Sequence, residues 1–145
     1  MRKLVQSPIV VCASPAYLER AGIPRTPADL DTHACLALLT LERDVQDEWL
    51  FARAEARTKI KIAPKLAAHG EELREAALAD CGIVRLLACH VDDELRCGAL
   101  VRVLPEWECL GALPIVAIYR KARPTLSRVN AFVRHLEQAF RPHGQ

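Results

Sequence analysis

The stretch from Lys65 to Leu87 restricts the fold more than any other part of this chain, because it reads strand, helix, strand without a break. Lys65-Leu66-Ala67 leads in as a strand. A helix follows from near His69, with Leu73, Ala76, Ala77 and Cys81 on one face, Glu71 and Glu72 beside its positive N-terminus, and Gly82 placed to end it. Ile83-Val84-Arg85-Leu86-Leu87 is the second strand. Two strands joined through a helix pair in parallel, so the unit belongs to an α/β fold. The helix's first free amides face the carboxyl edge of the sheet, where open α/β folds take small anions and polar ligands. A solvated helix end is the alternative reading.

The same alternation recurs along the chain. Ile9 to Ala13 reads as a buried strand, and the segment after it is closely punctuated. Ser14 accepts from the free amides of a first helical turn, Pro15 fits the first helical position, and Gly22 suits the left-handed residue that ends a helix. Pro24 and Pro27 hold the chain extended, and Thr26 or Pro27 starts a short turn carrying Asp29 and Leu30. Cys35 to Thr40 is a continuous apolar run, as expected of a central strand covered on both faces. Glu42 to Glu48 reads as a polar loop, and Glu48 to Ala52 with Thr58 to Ile62 as a hairpin. His90 to Arg96 fits a short helix, Ala99 to Leu104 a strand, and Pro114 to Arg120 a buried strand. The last helix, with Thr125 as its cap, carries an apolar stripe of Val129, Phe132, Val133, Leu136 and Phe140, while Arg128, Arg134, His135 and Arg141 lie on its solvent side.

Several function classes are disfavoured. No apolar run approaches the roughly 20 residues that span a bilayer, and the charged N-terminus, broken by Pro8, does not make a signal peptide, so a cytoplasmic protein with no membrane partner is expected. Six cysteines include no C-x-x-C pair; Cys89-His90 lies eight residues from both Cys81 and Cys97 without forming a ligand knuckle. No metal or other cofactor is expected, and the thiols read as buried and reduced. The net charge is only +2 with Lys and Arg dispersed, so the chain itself lacks the concentrated positive face that grips DNA. Ser14, Asp29 and His33 are residue types used in acyl transfer, and Cys12 with His33 makes a conceivable thiol pair. Ser14, however, lacks a G-x-S-x-G elbow and caps a helix, and Asp29 and His33 sit in a turn, so no catalytic residue is assigned.

Six fragments, in order and spacing, resemble the effector-binding domain of LysR-type transcriptional regulators: Ala13-Ser14-Pro15-Ala16-Tyr17-Leu18; Gly22-x-Pro24-x-Thr26-Pro27-x-Asp29-Leu30-x-x-His33; Trp49-x-Phe51; Ala76-Ala77-Leu78-Ala79-x-x-Gly82-Ile83; Gly98-x-Leu100-Val101-x-Val103-Leu104-Pro105-x-Trp107; and Ser127-Arg128-Val129-x-Ala131-Phe132. The resemblance implies two Rossmann-like α/β lobes of the type 2 periplasmic-binding-protein kind, joined by two crossing strands, with a small effector in the cleft between them. On that pattern residues 13–112 correspond to a complete second lobe, and residues 1–12 and 113–145 to pieces of an incomplete first lobe. Ala13, Ser14 and Pro114 fall at the hinge. The DNA-reading winged helix-turn-helix has no counterpart, so the chain is expected to be a truncated regulator, with a remnant or a free-standing solute-binding-like protein as alternatives.

The resemblance places the effector against Leu39 and Thr40, Ala68, His69 and Gly70, and Leu86 and Leu87. Ala68, Asp80 and Leu87 depart from the family pattern, which has a small polar residue, a glycine and a proline there. The expected partners are a small-molecule effector of the carboxylate or aromatic-acid class and a second copy of the chain. A dimer or higher oligomer is expected because the final helix and the strand before it leave apolar surface to cover. DNA would be reached only through the absent N-terminal domain.

Overall fold

Strand β1 (Arg2–Ala13) feeds helix α1 (Pro15–Ala21), a 3-10 turn over Pro27–Thr32, and strand β2 (Cys35–Leu39). Strands β3 (Val45–Gln46), β4 (Glu48–Arg53), β5 (Ala56–Lys61) and β6 (Leu66–Ala68) lead to helix α2 (Gly70–Leu78), strand β7 (Ile83–Leu87) and helix α3 (Ala88–Cys97). Short strands β8 (Val101–Arg102) and β9 (Glu108–Cys109) precede β10 (Ala112–Ala117) and helix α4 (Leu126–Ala139). The computed structural model describes residues 2–118 and 126–140. Tyr119, Arg120, Thr125 and Arg141, named above, lie outside them, and no described helix is long and apolar enough to cross a membrane.

The chain divides into two compact units, Pro8–Gly111 and Met1–Ser7 with Ala112–Gln145. In the larger unit the main sheet runs β1-β7-β2-β3, with β6 also on β2 and β8 on β1. β2 pairs in parallel with both β6 and β7, whereas β1 runs antiparallel to β7. Alternation along these strands makes two apolar faces. Val10, Cys12, Leu36, Val84 and Leu86 pack under Leu73 and Ala77 of α2 and Val91 of α3. Val11, Ala13, Cys35, Ala37 and Ile83 pack with Tyr17 and Leu18 of α1, Leu30 of the 3-10 turn, and Trp49 and Phe51. The last two belong to a second sheet, β5-β4-β9. The expected strand from Ala99 to Leu104 is confined to β8, since Leu104 turns into a left-handed conformation at φ 55°.

The first helix follows its sequence signals. Ser14 Oγ accepts from the amide of Tyr17 at 3.1 Å, Pro15 occupies the first turn, and Gly22 sits at φ 88°. Ser14 does more than cap, because its hydroxyl donates to Asp80 Oδ1 at 2.5 Å, and Arg20 donates to the Asp80 carbonyl at 2.9 Å. These bonds hold Asp80 at φ 63°, the left-handed position after α2. Helix α2 therefore ends at Leu78 and turns at Asp80 rather than at Gly82. Ser14→Ala removes both the cap and the donor to a part-buried carboxylate. It is expected to lower unfolding stability by about 1–2 kcal/mol in urea titrations, with Asp80→Asn, which keeps an acceptor, costing less.

In the smaller unit β10 is the hydrogen-bonded neighbour of β1, and Arg2 Nε meets Glu137 Oε1 of α4 at 2.6 Å. The stripe on α4 is only partly covered. Val133 is buried, but Phe132 is 61% exposed, and Ile118, just past β10, is 81% exposed.

Candidate functional site

The parallel registers bring three strand ends to one edge. Leu36, Ala37 and Leu38 of β2 face Leu66, Ala67 and Ala68 of β6, and Cys35 and Leu36 face Ile83 and Val84 of β7. Leu39, Ala68 and Leu87 therefore finish together, and α2 and α3 begin at once after the second and third. Two helix N-termini converge there, and neither N-cap residue, His69 or Leu87, makes a side-chain cap hydrogen bond. His69 lies at the cap position of α2 and turns its ring away to β2, where Nδ1 donates to the Leu39 carbonyl at 3.0 Å. A carbonyl only accepts, so a proton is on Nδ1, and the ring is otherwise exposed. Gly70 lies under His90: a Cβ there would stand 3.1 Å from His90 Nδ1. Beside it is a cavity of about 250 Å³ lined by Gly70, Glu71, Arg74, Cys89 and His90.

The residues expected to contact an effector stand in different settings. Leu39, Ala68, His69, Gly70 and Leu87 share the edge and are partly exposed or, for His69, exposed. Thr40 is tied into a turn: its Oγ1 accepts from the Asp44 amide at 3.1 Å, and its own amide donates to the Asp44 carbonyl. Leu86 points into the core beneath α2 and α3, so only its backbone reaches the edge. Ala13 and Ser14 lie inside the Pro8–Gly111 unit and are buried; Pro114 is in β10 of the other. A charged group that the strand pattern conceals is Arg85 of β7, whose only sequence signal is a lone cation inside the apolar run Ile83 to Leu87.

The side chains suggestive of nucleophilic chemistry are committed elsewhere. Ser14 is held by Asp80 and Tyr17, and Asp29 Oδ2 accepts the amides of Arg25 and Thr26, which holds its carboxyl below the usual range. His33 Nδ1 meets the Tyr17 hydroxyl at 2.9 Å, and that hydroxyl also accepts from the Ala34 amide. Burial pushes the Cys12 and Cys35 thiols up to about 12 and raises that of Cys109.

The expectation of uniformly buried thiols is corrected here, because Cys81, Cys89 and Cys97 are exposed at helix ends. Ellman's reagent is expected to titrate these three rapidly in the folded protein, and Cys12, Cys35 and Cys109 only on unfolding. Raised folded values favour the neutral thiol, so the stabilising contribution of Cys12 and Cys35 is complete below the ordinary value of 9.0 and is lost as pH rises from there toward about 12.

Comparison with known proteins agrees with this architecture. A family model described as the LysR substrate binding domain matches residues 1–141. The HTH-type transcriptional regulator DmlR of Escherichia coli (strain K12) is 31% identical over 144 residues, covering 98% of this chain and 46% of DmlR. CrgA, an HTH-type transcriptional regulator of Neisseria meningitidis serogroup B, is 32% identical over 133 residues, covering 91% of this chain and 44% of CrgA. The solved regulatory domain of CrgA superposes with a TM-score of 0.77 at 32% identity, over 94% of this chain and 67% of that one. Full-length AphB of Vibrio cholerae, at 21% identity and a TM-score of 0.76, shares the fold over 95% of this chain and 46% of its own. The chain thus spans less than half the length of the curated relatives DmlR and CrgA.

Proposed function

The chain belongs to the LysR substrate-binding domain family, and from that membership we propose that it is the ligand-sensing part of a bacterial LysR-type transcriptional regulator. It binds a small-molecule effector at the edge where Leu39, Ala68-His69-Gly70 and Leu87 meet, and effector occupancy sets how the intact regulator engages DNA through a helix-turn-helix segment. The observation that carries this reading is the convergence of two helix N-termini on one strand edge, which aims helix-end amides at one place. Binding rather than catalysis is its business, since Ser14, Asp29 and His33 each serve a separate structural bond. The protein acts in the cytoplasm, where its DNA is, and as an oligomer: Phe132 and Ile118 are large apolar side chains held in water unless a second copy covers them.

A thermal-shift screen of small organic acids, their neutral amides and aromatic compounds tests the sensing reading. At a concentration 100 times its dissociation constant a true effector stabilises the folded chain by about 2.7 kcal/mol. Failure of every compound class to raise the midpoint would refute it. Light scattering tests the oligomer, and a monomer at high concentration would overturn that part.

A further inference from the structure

Arg85 is a partly buried cation with a cavity in front of it and, among the described residues, no counter-ion. Alternation along β7 puts it on the face of Ile83, between the buried Val84 and Leu86 and opposite Val11 of β1. Its Nε donates to Cys109 Sγ at 3.2 Å and its Nη2 to the Leu110 carbonyl at 3.0 Å. Neither partner carries charge, since burial keeps the Cys109 thiol protonated. Among the described residues no carboxylate forms an ion pair with Arg85. The backbone closes tightly on one side of the guanidinium, because a Cβ on Gly111 would stand 3.3 Å from Nη2. Two bonds therefore fix the plane of the fork, and among the described residues three of its five N–H donors are left over, both on Nη1 and the second on Nη2.

The cavity is about 370 Å³, lined by Val45, Gln46, Asp47, Glu48 and Arg85. That is the size of a small-molecule site. Its wall belongs to the strand edge already described, for Val45 stands opposite Leu39 and Gln46 opposite Leu38. The two carboxylates on the wall face lysines instead of Arg85, Asp47 meeting Lys61 at 3.8 Å and Glu48 meeting Lys59 at 3.7 Å.

We propose that Arg85 is a ligand-recognition residue whose oriented guanidinium takes the carboxylate of a small organic acid in this cavity. The inference rests on the effector-sensing reading and deepens it, by naming the charge of the effector and the side chain that reads it. A carboxylate matches the fork geometrically and supplies the negative charge that neither Cys109 nor the Leu110 carbonyl gives Arg85, whereas an amide of the same shape supplies only a dipole.

Calorimetric titration of benzoate and succinate, against benzamide and succinamide, tests it on the wild-type chain and on Arg85→Gln, Arg85→Lys and Val45→Trp. The wild type is expected to bind at least one acid about tenfold or more tightly than its amide, and Arg85→Gln to lose about that factor for the acid alone. Arg85→Lys keeps the charge without the fork and falls between. Val45→Trp fills the cavity while leaving both Arg85 bonds intact, so its loss of acid binding tests the site even where Arg85→Gln is poorly folded. Acid affinity unchanged in a folded Arg85→Gln or Val45→Trp, equal affinity for acid and amide, or no binding of any of the four probes overturns the proposal. The sensing reading falls separately, when no compound of any class in the broader thermal screen binds.

Discussion

Gly82→Ala is expected to destabilise the protein by about 3–5 kcal/mol, enough to abolish a cooperative unfolding transition in a marginally stable domain. A Cβ built on Gly82 would lie 2.2 Å from the carbonyl oxygen of Ala34, and that obstacle is backbone, unable to swing aside like a side chain. The same oxygen accepts from the Ile83 amide at 2.8 Å, next to the first rung of the β2 and β7 pairing, Cys35 against Ile83. Making room for a methyl group therefore means parting two strands at the centre of the main sheet. Gly22→Ala is the control. It changes a glycine at φ 88° whose added Cβ meets nothing within 4 Å, so its cost is the conformational one of about 1 kcal/mol. Near-UV circular dichroism and urea midpoints of the two variants check the contrast, and equal midpoints would show that the Ala34 contact does not govern the entry of β7.

Gly82 also marks where local pattern and tertiary structure part. Its place after a helical stripe made it look like a terminator of α2, yet the left-handed residue there is Asp80. The bonds that hold Asp80 come from Ser14 and Arg20, 66 and 60 residues away in sequence, and no local window contains them. Where the determinants are short-range the sequence was a good guide: Ser14, Pro15 and Gly22 delimit α1 within a few residues of each other. The strand edge was legible for the same reason, since each βα junction is local. What joins the junctions was not, and the bond from His69 to the Leu39 carbonyl appears only once β2 and β6 lie side by side. Arg85 escaped notice because a strand buried on both sides dominates the hydropathy of its window; only the fold reveals that one member of the run faces a cavity.

Phe51→Ala is the second substitution with a large expected effect, about 3–5 kcal/mol, because it empties a core position 1% exposed that helps seat one sheet upon another. Strand β4 alternates from Glu48 to Phe51. Trp49 and Phe51 point inward to Val11, Ala37 and Ile83, while Leu50 between them is 43% exposed. Leu50→Ala is accordingly expected to cost under about 0.5 kcal/mol, although it deletes a side chain of similar hydrophobicity one residue away. The hairpin registers β4 against β5 over six residue pairs, from Glu48 with Lys61 to Arg53 with Ala56, so its own hydrogen bonds survive either change. What Phe51→Ala loosens is the seating of the hairpin, and that seating carries the Asp47–Glu48 wall of the Arg85 cavity, held to the hairpin by the Ile62 amide on the Asp47 carbonyl at 2.8 Å. Trp49 emission should therefore shift to the red at denaturant concentrations that leave Leu50→Ala unchanged, and acid binding should weaken in step with it. A Phe51→Ala variant as stable as Leu50→Ala would mean that the small sheet is an appendage to the core and not a part of it.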